Sequence, residues 1–132
     1  MIESQPISFE IDFSQRLKRA VFNGVITEEV LFHSYEKLLS EPDYDPTLND
    51  LVDMRAVERL EASSKSVRRL VELFSQPELM STNKLAIVAP ESYIFGIARM
   101  YEIMSSETTE QIQVFRDMKD AENWLGILPA GE

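Results

Sequence analysis

The chain of 132 residues has no cysteine, one histidine, one tryptophan and four glycines. Without cysteine there is no disulfide framework, no thiolate metal site and no thiol nucleophile. His33 falls on an outer helical face. Alone it cannot build a zinc site, and no base–nucleophile pairing with a serine can be read around it. The glycines, Gly24, Gly96, Gly126 and Gly131, are too scattered to form a phosphate-cradling loop. Positive charge is scarce as well: 13 Lys and Arg stand against 23 Asp and Glu, for a net charge of −10. Phosphate neutralisation needs clustered Lys and Arg, so nucleic acid is excluded as a partner, and an anionic membrane face is disfavoured. No apolar run approaches the length of a membrane span, so no integral membrane segment is expected. The opening MIESQPISFEID lacks a basic stretch followed by an apolar one, so no signal peptide is visible and a cytoplasmic location is expected.

What is present is an ordinary mixture of 44% apolar and 27% charged residues, at a length that implies a single domain over residues 1–132. Ile7, Phe9 and Ile11 alternate along a first strand from Ile7 to Asp12. After the short link Phe13 to Arg16, a second strand runs from Leu17 to Asn23. It carries Leu17, Arg19, Val21 and Asn23 on one face and Lys18, Ala20 and Phe22 on the other. The short link implies an antiparallel hairpin, and Gly24 is expected to close the strand. Thr27 caps a helix to about Ser40, with Leu31, Tyr35, Leu38 and Leu39 on its inner face and Val30 beside them. Pro42 to Pro46 breaks it. A buried strand follows from Asn49 to Arg55.

Ser63 or Ser64 caps a second helix, whose Val67, Leu70, Val71 and Phe74 recur at helical spacing, with Pro77 beyond its end. Lys84 to Pro90 reads as a central strand, Ser92 caps a third helix to about Ser106, and Ile112 to Arg116 is the last strand. Asp117 caps a final helix, with Asp120 placed as in a capping box. Ala121, Trp124 and Leu125 form its inner face and Gly126 its stop. The order β-β-α-β-α-β-α-β-α predicts an α/β fold: a mixed, mainly parallel five-stranded sheet with an N-terminal β-hairpin and four helices.

On these residues the chain resembles the STAS domain, the sulfate-transporter and anti-sigma-factor-antagonist module with the SpoIIAA-like fold. In the antagonists a strand ends in Asp-Leu-Ser-x-Val and the next helix opens with Asp-Ser-Ser-Gly. Asp53 and Val57 keep the first spacing, and Leu60 to Ser64 falls where the second motif belongs. The segments Gly24 to Glu29, Leu51 to Arg55, Phe95 to Glu102, Val114 to Asp117 and Ala121 to Gly126 are similar to uncharacterised bacterial STAS/Sec14-like proteins, for which no activity is implied. Ala62 occupies the position of the antagonists' phosphoacceptor serine and Ser64 that of their glycine. The resemblance implies a regulatory or scaffolding domain that acts through protein–protein contacts. The antagonists meet kinase partners through the surface that here carries Ser63, Ser64, Lys65, Arg68 and Arg69. A helix cap at the serines and solvated Glu61–Lys65 and Arg68–Glu72 pairs are the plainer explanation of that face, beside a phosphosite.

Two further groups of residues are candidates. Ligands of open α/β sheets sit at the carboxyl ends of the strands, a rim expected to gather Gly24, Asp53, Arg55, Glu91, Ser92, Arg116 and Asp117. An anion bound there would meet Ser92 at a helix start and Arg99 two turns along, unless the Arg residues simply pair with neighbouring Asp. The third helix is apolar over about 220° at 100° per residue, more than one sheet-facing stripe requires. Its excess, including Tyr93, Phe95, Met100, Tyr101 and Met104, is explained by flanking helices and the 75–83 loop, by a homodimer interface, or by an apolar ligand pocket. The leading expectation is a homodimeric, non-enzymatic module with an unknown protein partner and no cofactor or metal. A carrier or sensor of a small apolar or anionic ligand is the alternative, and an enzyme using Asp53, Glu91 and Arg residues comes third.

Overall fold

The computed structural model describes residues 5–76, 83–106 and 111–129. It opens with β1 (Ile7–Asp12) and β2 (Leu17–Ile26), an antiparallel hairpin in which Ile7 faces Phe22 and Asp12 faces Leu17. The Asp12 carboxylate accepts from the backbone N–H groups of Ser14 and Gln15 at 3.1 and 3.3 Å, which folds the turn, as Asp side chains commonly do. Then follow α1 (Glu28–Leu39), β3 (Asn49–Leu60), α2 (Ser64–Phe74), β4 (Lys84–Val88), α3 (Ser92–Met104), β5 (Gln111–Phe115) and α4 (Met118–Leu125). The five strands lie in chain order, β1-β2-β3-β4-β5, and every pairing after the hairpin is parallel.

That order decides where the helices go. Each crossover advances one strand in the same direction, and parallel crossovers are right-handed. The three crossover helices therefore share one face of the sheet, and α4 covers the other. Strand alternation supplies a core to each face. Toward α1–α3 point Ala20, Phe22, Val52, Leu85 and Ile87, which meet Leu31, Ile94 and Ala98. Toward α4 point Leu17, Leu51, Ala86 and Val88, which meet Ala121 and Leu125. Tyr35 ties the hairpin to the helices through edge-on contacts with Phe9 at 5.4 Å and Phe74 at 5.5 Å, a favoured geometry for aromatic pairs.

The element order agrees with the expectation, and four details differ. Gly24 does not end β2. It adopts a φ of 76° at an irregularity in the β2–β3 register, and the strand continues to Ile26. β3 is correspondingly longer: it runs past the expected end at Arg55 to Leu60, and residues 56–60 pair with the far half of β2. The deepest residues of α1 are Leu31 and Phe32, not Leu38 and Leu39. The cap of α3 is Glu91 rather than Ser92: its carboxylate accepts from the N–H groups of Tyr93 and Ile94 at 3.0 and 3.1 Å. A carboxylate at that end also favours the helix dipole. Thr27, Asp117 and Gly126 take the capping and stop positions expected of them. Pro77 and most of the 75–83 loop lie outside the described residues.

Candidate functional site

Within the expected rim, the Arg116 charge acts on the Glu91 carboxylate at the β4–β5 end of the sheet. Asp53 and Arg55 stand within β3, and Arg55 grips the Asp53 carboxylate with Nε at 3.0 Å and a terminal nitrogen at 2.9 Å. Burial raises the Asp53 pKa, but the Arg55 hydrogen bonds and charge outweigh it and hold the carboxyl below its ordinary range. Arg116 lies over the Phe95 ring at 4.2 Å and donates to the Pro90 carbonyl at 3.1 Å. Arg99 pairs with Glu102 at 2.8 Å. Ser92 is exposed at the first position of α3. Among the described residues, only Arg55 of these three makes the Arg–Asp pair that the sequence raised as the alternative; Arg99 pairs with Glu102, and Arg116 with the Phe95 ring and the Pro90 carbonyl.

On α2, Ser63 is the cap, and Ser63 and Ser66 form a reciprocal capping box. Ser64, Lys65 and Arg68 are exposed, and Arg69 lies 4.0 Å from the centre of the Phe32 ring. The two expected ion pairs are absent among the described residues. Glu61 pairs with Arg59 at 2.7 Å rather than with Lys65, and Arg68 has no ion pair with Glu72.

The apolar excess of α3 divides three ways. Ile94 and Ala98 face the sheet core. Phe95 is shielded by Arg116, and Tyr93 reaches the Ala62 carbonyl with its hydroxyl at 3.3 Å while remaining exposed. Met100 and Met104 are half-buried. Tyr101, with Ile97 and Ala98, lines a partly open cavity between the sheet and α1, α2 and α3.

That cavity has a volume of about 130 Å³. Its walls are mostly apolar: Val52, Met54 and Ile87 from the sheet, Leu70 from α2 and Ile97 from α3. Two charged side chains also line it, Lys18 and Asp50. They sit directly opposite each other in the parallel β2–β3 register, and Lys18 Nζ meets Asp50 Oδ1 at 3.0 Å. Lys18 is only 6% exposed, a rare state for lysine unless it is paired. Its ammonium also lies 4.8 Å from the centre of the Tyr44 ring, a cation–π contact. Burial pushes the Asp50 pKa up, and the Lys18 charge offsets part of that rise.

Sequence reasoning placed Lys18 on the face of Ala20 and Phe22 but did not single it out. A lysine in phase with two buried apolar residues was the available signal. Asp50 shares a face with Val52 by the same alternation, but the partnership of the two depends on strand register, which no local pattern reveals.

Among the described residues no helix is long and apolar enough to cross a membrane, and no group of three or more His, Cys, Asp or Glu residues is placed to hold a metal ion. No protein-family model matches the chain, and no curated protein matches it. A solved structure does: the crystal structure of an uncharacterized protein from the DUF3478 family with a SpoIIAA-like fold, from Shewanella loihica PV-4. The match has a TM-score of 0.56 and 19% identity, and it covers 95% of this chain and 98% of that one. The chain therefore has the SpoIIAA-like fold, the one that domains of STAS type share.

Proposed function

We propose that the chain is a non-enzymatic regulatory module whose input is a small, largely apolar molecule held between the sheet and α1–α3. The observation that carries this reading is the mostly apolar cavity of about 130 Å³ with the Lys18–Asp50 pair on its lining. A concave apolar site with few convergent polar groups is the general form of a ligand pocket, and an engineered cavity of about 150 Å³ accepts benzene. The cavity also accounts for part of the breadth of the apolar arc on α3. Toluene is a direct probe. A ligand that binds only the folded state raises the unfolding temperature in proportion to its occupancy, so toluene is expected to raise Tm. Ala98→Leu, which extends a larger side chain into the same space, is expected to reduce that rise. No rise with the native chain contradicts the reading.

A second reading, a homodimer or a docked protein partner on the outer face of α3, draws on Tyr93 and Ile103, 55% and 61% exposed. Aromatic residues and Met are enriched in interface cores, and Met100 and Met104 lie on the same helix. Light scattering that returns a monomer at tens of micromolar would sink the homodimer.

A further inference from the structure

The buried ion pair specifies more than the presence of a ligand, on the premise that the cavity binds one. We infer that the preferred ligand is uncharged and about the size of one aromatic ring, and that it carries a single hydrogen-bonding oxygen directed at the Lys18–Asp50 pair. The size follows from the cavity volume of about 130 Å³, close to the volume that holds benzene. The head group follows from the charges. Lys18 and Asp50 are the charged side chains among the described residues lining the cavity, and they already neutralise each other at 3.0 Å. An anionic or cationic head would bring a third, uncompensated charge into a mostly apolar cavity, which is unfavourable. A purely hydrocarbon ligand would leave the pair no better satisfied than an empty cavity does.

An ammonium has three N–H donors. One is committed to Asp50, and the face of the Tyr44 ring lies 4.8 Å away. A ligand hydroxyl or carbonyl oxygen can accept from Lys18, and a hydroxyl can donate to Asp50 in return. Of the other polar residues on the lining, Ser66 accepts from the Ser63 backbone N–H at 3.1 Å in the α2 cap.

Three ring compounds of similar size separate the possibilities: toluene, benzyl alcohol and benzoate, titrated into the full chain near pH 7.5 with NMR detection of side-chain methyl groups. Benzyl alcohol is expected to bind about tenfold tighter than toluene, the scale of one hydrogen bond to a charged group. Benzoate is expected to bind more weakly than both. Replacing the pair together, Lys18→Met with Asp50→Leu, removes both charges at once, an exchange that buried ion pairs commonly tolerate. In that variant toluene and benzyl alcohol are expected to bind alike.

The head-group inference is overturned if toluene equals benzyl alcohol on the native chain, if benzoate binds tightest, or if the preference for the alcohol survives in the double variant. In each of those outcomes the cavity still binds a ring, so the proposed function stands. If none of the three compounds binds, the cavity reading fails and the head-group inference with it. The three-compound comparison on the native chain is decisive by itself if the double variant does not fold.

Discussion

The two faces of the sheet solve the same packing problem with different results. On one, a single helix of eight residues closes over Leu17, Leu51, Ala86 and Val88. On the other, three helices of eleven to thirteen residues converge and leave a cavity. Each face carries an aspartate–cation pair on β3. Asp50 points into the three-helix side and meets Lys18, whereas Asp53 is gripped by Arg55 beside solvent. The carboxyls are three residues apart, and their pKa values move in opposite directions: burial raises Asp50, while the Arg55 hydrogen bonds overcome burial and lower Asp53. The chemistry of an ion pair therefore does not fix its role; the surroundings do. A pair whose cation is half exposed is a local fastening, and one whose cation is buried costs stability to maintain.

This contrast can be broken by substitution. The largest effect is expected from Lys18→Met alone, which strips the partly buried Asp50 of its cation and is expected to cost up to about 3–5 kcal/mol in denaturant unfolding. Arg55→Ala, the analogous cut on the other face, is expected to cost less than about 1 kcal/mol, because Arg55 is half exposed and exposed pairs contribute little. Equal losses at the two sites would erase the distinction. Packing density gives the next test. Ala86→Leu overfills the closed face and is expected to cost about 1–3 kcal/mol. Ala98→Leu grows into the cavity and is expected to cost less, or to stabilise the protein, as cavity-filling substitutions commonly do. A smaller effect belongs to Ser63→Ala, which removes the α2 cap and is expected to cost about 1 kcal/mol, without changing the affinity for toluene.

The pH dependence has a definite sign on each face. Asp53 has a folded pKa below its ordinary value of 3.8, so its contribution is complete above that value and is lost as the pH falls through the folded pKa. Glu91, lowered by the backbone N–H groups of Tyr93 and Ile94, behaves in the same way below 4.5. Asp50 is raised, so its contribution is greatest below 3.8 and diminishes as the pH rises through its folded pKa. Carboxyl-resolved NMR titration is expected to find Asp53 ionising before Asp50. The reverse order contradicts the assignment of the two environments.

Much of this architecture was legible in the sequence because it is local. Alternation separated Leu17 from Ala20 and Phe22, and the caps at Thr27 and Ser63 follow from side chains that accept backbone N–H bonds. The errors arose where two segments had to meet. Gly24 looks like a terminator, yet the pairing of β2 with the far half of β3 carries the strand through it. Phe32 is not on the inner face read for α1, yet it is buried, with Arg69 from α2 over its ring at 4.0 Å. Serine outranks glutamate as a cap by preference, so Glu91 was passed over for Ser92. The cavity had no sequence signal of its own, since it is the space left where three helices meet one sheet. Only its polar end was marked, by a lysine in phase with the core.

The central claim is that the three-helix face, and not the closed face, is the ligand side. Methyl-resolved NMR during a toluene titration tests it directly. Shifts are predicted at Val52, Leu70, Ile87 and Ile97, which line the cavity, with Leu17, Leu51 and Leu125 on the opposite face unmoved. Shifts centred on the opposite face, or none at concentrations that saturate comparable cavities, would contradict the account.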